Sequence, residues 1–226
     1  MPKLDWLKKE FHYGYDSGNI LSIIPDKIRK SEEKVIGGSY RTVFKKAVLP
    51  YLKKNSKVLE LGPGKGSWSR AILDSIPEGE LTTIDFQDVS EWLHPEKYNG
   101  RLKCVRVEGN VYGKLQDDYF DLFWSFGVLC HNNKESIFQI LSNSLVKVKK
   151  NGYAVHEYGD WDKLGKFGWE KGAIPLSFQN LPDDEIWWPR NSQAEMKEIA
   201  AKAGWEIITA DLNLVKRDSI IVLQKK

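Results

Sequence analysis

Short apolar runs alternate with amphipathic segments along most of this chain. The runs 57–61, 80–85, 102–107, 120–126 and 152–158 are mostly apolar or β-branched, which is typical of buried strands. Between them, the segments 67–76, 89–93 and 135–149 carry apolar residues at helical spacing. Strands that alternate with helices in this order predict a parallel sheet with crossover helices.

The end of the chain departs from this alternation. After an irregular stretch, 159–190, a helix is predicted over 192–203, because Ser192 and Glu195 form a capping box and Gly204 follows. The strands 206–210 and 218–224 are joined by a short connection, so they are expected to pair antiparallel. The sequence therefore predicts an α/β fold: a seven-stranded, mostly parallel sheet with an antiparallel last strand and helices on both faces.

The pattern also predicts how the chain is divided. Residues 1–38 are less regular, with apolar clusters at 11–15 and 20–25, and are expected to form an N-terminal cap or lid segment. A helix is predicted over 40–52 and leads into the first strand. Residues 39–226 are then one domain, in which 159–190 is an insertion.

Length and composition agree with a single globular domain. The chain has 226 residues, 41% hydrophobic and 29% charged, which excludes a disordered or collagen-like protein. No apolar run reaches the roughly 18 residues that span a bilayer, and the start lacks a signal-peptide stretch, so a cytoplasmic protein without a membrane span is expected. With 34 basic and 31 acidic residues, no nucleic-acid partner is expected.

The positions of the cysteines and tryptophans allow two further predictions. Cys104 and Cys130 lie in apolar stretches without metal-ligand spacing, so they are predicted to be reduced core thiols, and no metal site is expected. Tryptophan occurs nine times, and the copies in the Gly- and Pro-rich stretch 159–190 are predicted to line a ligand surface rather than a core.

The most informative motif is the glycine-rich stretch Leu59-Glu60-Leu61-Gly62-Pro63-Gly64-Lys65-Gly66-Ser67, which joins a predicted strand to a predicted helix. Glycines at every second position allow a ligand to approach the backbone closely. A P-loop requires Ser or Thr after Lys65, where the chain has Gly66. A dinucleotide loop prefers Gly or Ala at position 67, so that alternative is weakened but stays open.

The spacing Glu-x-Gly-x-Gly-x-Gly resembles the first motif of the class I S-adenosylmethionine-dependent methyltransferases, which have a Rossmann-like sheet. The resemblance extends from about residue 40 to the C-terminus and implies S-adenosylmethionine as cofactor and S-adenosylhomocysteine as product. It also implies an acidic residue for the ribose hydroxyls at the end of the second strand, and a contact to adenine after the third. The donor-binding residues it implies are Glu60, Gly62, Gly64, Gly66, Asp85, Phe86, Asn110, Val111 and Ser125.

Transfer of a methyl group to a hydroxyl requires a base, whereas a neutral amine attacks first and loses its proton later. The candidate bases lie at the carboxyl ends of the fourth and fifth strands, where open α/β sheets bind ligands: His131, Glu157 and Asp160. His131 is favoured, with the alternative that it is only a packed side chain. As a base with an ordinary pKa of about 6.5, it would make turnover fall below that pH.

The acceptor is expected to contact the insertion through Trp161, Trp169, Trp187, Trp188 and Arg190. Aromatic planes can stack on a sugar or an aromatic ring, and the stretch 188–192 is loosely similar to methyltransferases of bacterial glycans. The leading hypothesis is therefore methyl transfer to a hydroxyl of a small molecule or glycan. An amine or carboxylate acceptor is the alternative, as is a noncatalytic protein that binds the cofactor.

Overall fold

The computed structural model describes residues 15–226, so most of the predicted aromatic cluster at 11–15 lies outside the described residues. Its centre is a seven-stranded sheet in the order β3-β2-β1-β4-β5-β7-β6. The strands are β1 (Lys57–Leu61), β2 (Glu80–Asp85), β3 (Leu102–Arg106), β4 (Phe120–Ser125), β5 (Val148–Gly159), β6 (Glu206–Thr209) and β7 (Asp218–Gln224). This architecture confirms the predicted fold class.

The direction of the strands places the carboxyl ends of β1, β2, β4 and β5 on one edge of the sheet. The first five strands are parallel, whereas β7 runs antiparallel to both β5 and β6. The start of β7 therefore lies on the same edge as the end of β5, where Asp218 pairs with Gly159. The strand order reverses between β1 and β4, and such a switch point is where open α/β sheets bind ligands.

Helices cover both faces of the sheet. They are α1 (Lys27–Ile36), α2 (Tyr40–Val43, continued by π and 3-10 turns to Tyr51), α3 (Ser67–Ser75), α4 (Ser90–Leu93), α5 (Lys134–Leu145), α6 (Trp161–Phe167) and α7 (Gln193–Lys202), with 3-10 turns at Pro95–Tyr98, Leu129–His131 and Leu176–Asn180. The core on one face joins α1 to α4, and the core on the other joins α5 and α7. In β4, Trp124 packs into the first core and Phe123 into the second, as the alternation of a strand requires.

Two elements differ from the sequence prediction. The helix predicted over 135–149 ends at Leu145, because Val148 pairs with Phe120 and begins β5 earlier than expected. The residues before Gly37 include a full helix, α1, although its sequence is mostly polar. The Asp26 side chain caps α1 by accepting the Arg29 N–H, and Gly37 ends it with a φ of 71°.

Candidate active site

A cavity of about 660 Å³ opens at the carboxyl edge of the sheet. Its two ends differ in chemistry. We call one the glycine-loop end, which includes Gly62, Gly64, Asp85, Phe86, Val107 and Asn110. We call the other the aromatic end, which includes Glu32, Tyr40, His131, Trp187, Trp188 and Arg217. The cavity therefore unites predicted donor residues with two of the predicted acceptor residues.

The glycine loop leads from β1 into α3 and is packed against the start of the described chain. Gly64 has a φ of 54°, and a Cβ there would collide with the Tyr15 carbonyl oxygen, which accepts the Lys65 N–H at 2.8 Å. Ser67 Oγ donates to Asp16 at 2.8 Å, and its oxygen accepts the Ser17 N–H at 3.2 Å. Glycine is therefore required at position 64 by this close approach as well as by its backbone conformation.

Asp85 ends β2 and brings a buried carboxylate to the glycine-loop end, where it accepts the backbone N–H of Gln87 at 2.9 Å. Burial raises the pKa of Asp85 to about 6. Hydrogen bonds from Gln87 and Phe86 act in the opposite direction and lower the pKa, but their effect is smaller. A carboxylate in this position can accept the two hydroxyls of a ribose. Asn110 lines the same end, whereas Val111 is 68% exposed and lies outside the cavity lining.

Three of the implied donor residues do not line the cavity but lie next to it. Gly66 precedes α3 with a φ of 79°. Glu60 is buried and accepts a hydrogen bond from Ser69 Oγ, and burial raises its pKa to about 7. Ser125 is hydrogen-bonded to His156 Nδ1 at 2.8 Å. Glu60 and Ser125 thus hold the strand ends and the loop in place.

His131 lies on the turn after β4, at the aromatic end. Its Nδ1 is 2.8 Å from the Trp187 carbonyl oxygen, which can only accept, so the neutral ring carries its proton on Nδ1 and its lone pair on Nε2. Burial lowers the pKa of His131 to about 4. The imidazole is therefore neutral at physiological pH, in the tautomer that a general base requires.

Glu157 and Asp218 form a pair of buried carboxyl groups under the aromatic end. The Gly127 N–H donates to Glu157 Oε2 at 2.8 Å, and Arg217 Nε donates to Asp218 Oδ2 at 2.8 Å. Burial, and then the nearby Asp218, raise the pKa of Glu157 well above its ordinary value, which favours the protonated form. A carboxyl group that is already protonated cannot accept a proton from a substrate, so this contact to Gly127 assigns Glu157 to anchoring the loop.

Asp160 and three of the predicted acceptor residues lie outside the cavity lining. Asp160 caps α6 and accepts hydrogen bonds from Ser219 Oγ at 2.7 Å and Gln193 Nε2 at 3.1 Å. Trp161 and Trp169 pack edge to face, with ring centroids 4.7 Å apart. Arg190 stacks on Trp161 and pairs with Asp183 at 2.6 Å. Much of the insertion therefore forms its own small core, to which Trp188 also belongs.

Sequence reasoning missed Glu32, Tyr40 and Arg217 at the aromatic end. Arg217 and Asp218 are adjacent charged residues at the start of an apolar strand. The sequence could have indicated them, because the start of this antiparallel strand lies at the edge of the sheet where ligands bind. Glu32 left no such signal, since a glutamate on a polar helix is ordinarily solvated.

A family model described as a methyltransferase domain matches residues 39–210, most of the chain. The chain belongs to the class I S-adenosylmethionine-dependent methyltransferase family. This match confirms the resemblance that the glycine loop indicated. It also confirms the predicted enzyme class and the cofactor of the family. No protein of curated function matches the chain by sequence.

Several solved structures share the fold at low identity. A SAM-dependent methyltransferase from Aquifex aeolicus has a TM-score of 0.62 at 17% identity, covering 91% of this chain and 100% of its own. The PH0226 protein from Pyrococcus horikoshii has a TM-score of 0.64 at 13% identity, covering 97% and 99%. NcsB1, an O-methyltransferase from neocarzinostatin biosynthesis, was solved with SAM and 2-hydroxy-5-methyl naphthoic acid; it has a TM-score of 0.59 at 14% identity, covering 88% and 58%. The methyltransferase chain thus spans 58% of NcsB1 and 56% of PhzM, a pyocyanin biosynthetic protein.

Two further features of residues 15–226 complete the description of this methyltransferase. None of their helices combines the length and the apolar character needed to cross a membrane. Within the same residues, no group of three or more His, Cys, Asp and Glu side chains is arranged to hold a metal ion.

Proposed function

We propose that this methyltransferase acts on a hydroxyl of a small ring-containing molecule that binds at the aromatic end of the cavity. The observation that carries the proposal is His131, which is held neutral with its lone pair on Nε2, in the same cavity as Asp85. An acceptor hydroxyl needs such a base, whereas an amine acceptor does not.

The residues at the glycine-loop end fit the donor. Asp85 offers a buried carboxylate for the ribose hydroxyls, Asn110 offers an amide for the adenine, and the glycine loop leaves the backbone open to close approach. S-adenosylmethionine supplies a methyl group on a positively charged sulfur, and the product is S-adenosylhomocysteine. The chain has to align the two reactants and exclude water.

The residues at the aromatic end fit a flat acceptor. Trp187 and Trp188 flank His131, with ring centroids 5.8 and 5.2 Å from the imidazole, and Tyr40 also lines the cavity. His131 would take the hydroxyl proton on Nε2 as the oxygen bonds to the methyl carbon. NcsB1, which shares the fold, holds an aromatic hydroxy compound together with SAM, and this supports an acceptor of that size.

A sugar is the second candidate acceptor, since indole faces such as that of Trp187 also stack on sugar rings. Both candidates agree with a cytoplasmic enzyme, and that location stays a prediction.

Isotopically labelled S-adenosylmethionine tests the proposal. The protein is incubated with the labelled donor and pools of phenols, sugars and amines, and the products are identified by mass spectrometry. We expect label on an oxygen of a ring compound, and loss of the label in His131→Gln. Label on nitrogen, equal in the parent and the variant, would contradict the proposal.

A further inference from the structure

Arg217 brings a fixed positive charge to the aromatic end of the cavity. Its side chain is only 14% exposed, and its guanidinium lies 4.5 Å from the centre of the Trp188 ring. Nε donates to Asp218 at 2.8 Å, and Nη1 donates to the Gly172 carbonyl oxygen at 3.2 Å. These contacts hold the group rigidly at the cavity wall.

The guanidinium has capacity left for a ligand. A guanidinium has five N–H bonds, and two of those of Arg217 have acceptors within residues 15–226. A buried cation with remaining donors is stabilised by an oxygen ligand, because the ligand replaces hydration that burial removes. An oxygen anion is the ligand group that a planar guanidinium binds best.

Glu32 limits how much negative charge the ligand can carry. It lines the same end of the cavity, and the Arg217 charge acts on its carboxyl group, although burial has the larger effect and raises the pKa of Glu32. The ion-pair partner of Arg217 within residues 15–226 is Asp218, and Glu32 also interacts with the Tyr40 hydroxyl. A ligand with a single negative charge toward Arg217 and a hydrogen-bond donor toward Glu32 satisfies both, whereas a dianion is repelled by Glu32.

Backbone hydrogen bonds fix the relative positions of the two elements that carry Glu32 and Arg217. The Ile36 carbonyl oxygen at the end of α1 accepts the N–H groups of Lys216 and Arg217, at 3.0 and 3.1 Å. Helix α1, which carries Glu32, is thereby tied to the start of β7, which follows Arg217. The proximity of Glu32 and Arg217 is therefore set by the backbone and does not depend on the conformations of two flexible side chains.

We propose that Arg217 binds a carboxylate of the methyl acceptor, so that the substrate class is an aromatic hydroxy acid. Aromatic side chains of the cavity hold its ring, Arg217 holds its carboxylate, and Glu32 accepts a hydrogen bond from a hydroxyl. The inference rests on the proposed function, since it names the acceptor of that same site.

Three probes that differ in charge test the proposal by calorimetry, with the protein saturated with S-adenosylhomocysteine. They are 3-hydroxybenzoate, the neutral 3-hydroxybenzyl alcohol and the dianionic phenyl phosphate. We expect the parent to bind the benzoate at least about tenfold more tightly than the alcohol, as charge-assisted hydrogen bonds allow. Phenyl phosphate is expected to bind more weakly than the benzoate.

Matched variants assign this preference to Arg217. Arg217→Met should bind the benzoate and the alcohol equally, while its affinity for S-adenosylhomocysteine stays within about twofold of the parent, since Arg217 lies at the other end of the cavity. Arg190→Met is the control, because Arg190 stacks on Trp161 outside the cavity lining, and it should keep the parental preference. If Arg217→Met does not fold, Arg217→Lys decides: it keeps the charge beside Asp218 but loses the planar fork, and the preference should fall at least about threefold.

Three results overturn the proposal: no carboxylate preference in the parent, no binding of any of the three probes, or a preference that stays at the parental level in the folded Arg217 variant. Failure of the proposed function is read separately. It shows as absence of S-adenosylhomocysteine binding or of methyl transfer, whereas the charge preference is measurable by titration without the nucleoside.

Discussion

Asp85 is expected to make donor binding depend on pH. Its pKa is about 6 without ligand, and the ionised form is the one that accepts hydrogen bonds from ribose hydroxyls. Binding therefore favours the ionised form and lowers its pKa, so affinity is constant well above pH 6. It weakens as the pH falls through about 6, by up to about tenfold per pH unit. Calorimetry of S-adenosylhomocysteine between about pH 5 and pH 8 measures this slope.

Asp85→Asn is the matched variant for that measurement. The amide cannot ionise, so the pH dependence of the affinity should vanish. At neutral pH the binding free energy should become less favourable by about 1.5–3 kcal/mol, the range for hydrogen bonds to a charged group. A slope that persists in the variant would locate the titrating group elsewhere.

His131 has a different pH signature from that of an exposed histidine. Because burial lowers its pKa to about 4, turnover should stay level through neutral pH and fall only near pH 4, not near the pH of about 6.5 expected from the sequence. His131→Gln should reduce turnover by about 10²–10⁴ and leave donor affinity unchanged. The amide of Gln can still donate to the Trp187 carbonyl, which makes the variant a close structural match. Initial rates over the pH range in which the protein stays folded provide the measurement.

At the scale of elements, the insertion after β5 combines a structural and a binding part. Trp169 is 8% exposed and lies in the core of the insertion, so Trp169→Ala should destabilise the protein by about 3–5 kcal/mol. Trp187 lines the cavity, so Trp187→Ala should raise the Michaelis constant for the acceptor with a smaller loss of stability. Thermal unfolding and steady-state kinetics on both variants distinguish the two parts. Equal effects in the two variants would contradict this division.

The elements that the sequence predicted well share one property. The strands β1, β2, β4 and β7 are buried on both faces, so each forms an apolar run that is visible without the structure, as in 120–126. The glycine loop was equally visible, because its alternating glycines fit few structures other than a close approach to a ligand.

The errors arose where long-range contacts decide the local structure. Helix α1 is polar and depends on caps and on its contact with the β6–β7 connection, so its sequence pattern alone is weak. The tryptophans of the insertion looked like a ligand surface, yet Trp161 and Trp169 pack against each other. Composition cannot distinguish a small separate core from a binding face, because both require the same residue types.

At the scale of the whole molecule, buried His156 is expected to cause sensitivity to acid. Burial lowers its pKa to about 3 in the folded protein, against about 6.5 in the unfolded chain. Its contribution to stability is therefore complete above pH 6.5 and is lost as the pH falls toward 3, by about 1.4 kcal/mol per pH unit. Because burial raises the pKa values of Glu60 and Asp85, these carboxyl groups change stability in the opposite direction over the same pH range. Urea denaturation of the parent and of His156→Gln at several pH values isolates the histidine, and a difference between the two proteins that stays constant between pH 6.5 and about 5 would refute the prediction.

The segment from Tyr15 to Ile36 touches both ends of the cavity. Tyr15 lies on the glycine loop, Glu32 lines the aromatic end, and Ile36 is bonded to the residues that begin β7. One continuous piece of chain thus contacts both ends of the cavity. By thermodynamic linkage, the factor by which S-adenosylhomocysteine changes the affinity for 3-hydroxybenzoate equals the factor by which the benzoate changes the affinity for S-adenosylhomocysteine. We expect such coupling here, because a segment that contacts both ends of the cavity can transmit the effect of one ligand to the other without direct contact between the ligands.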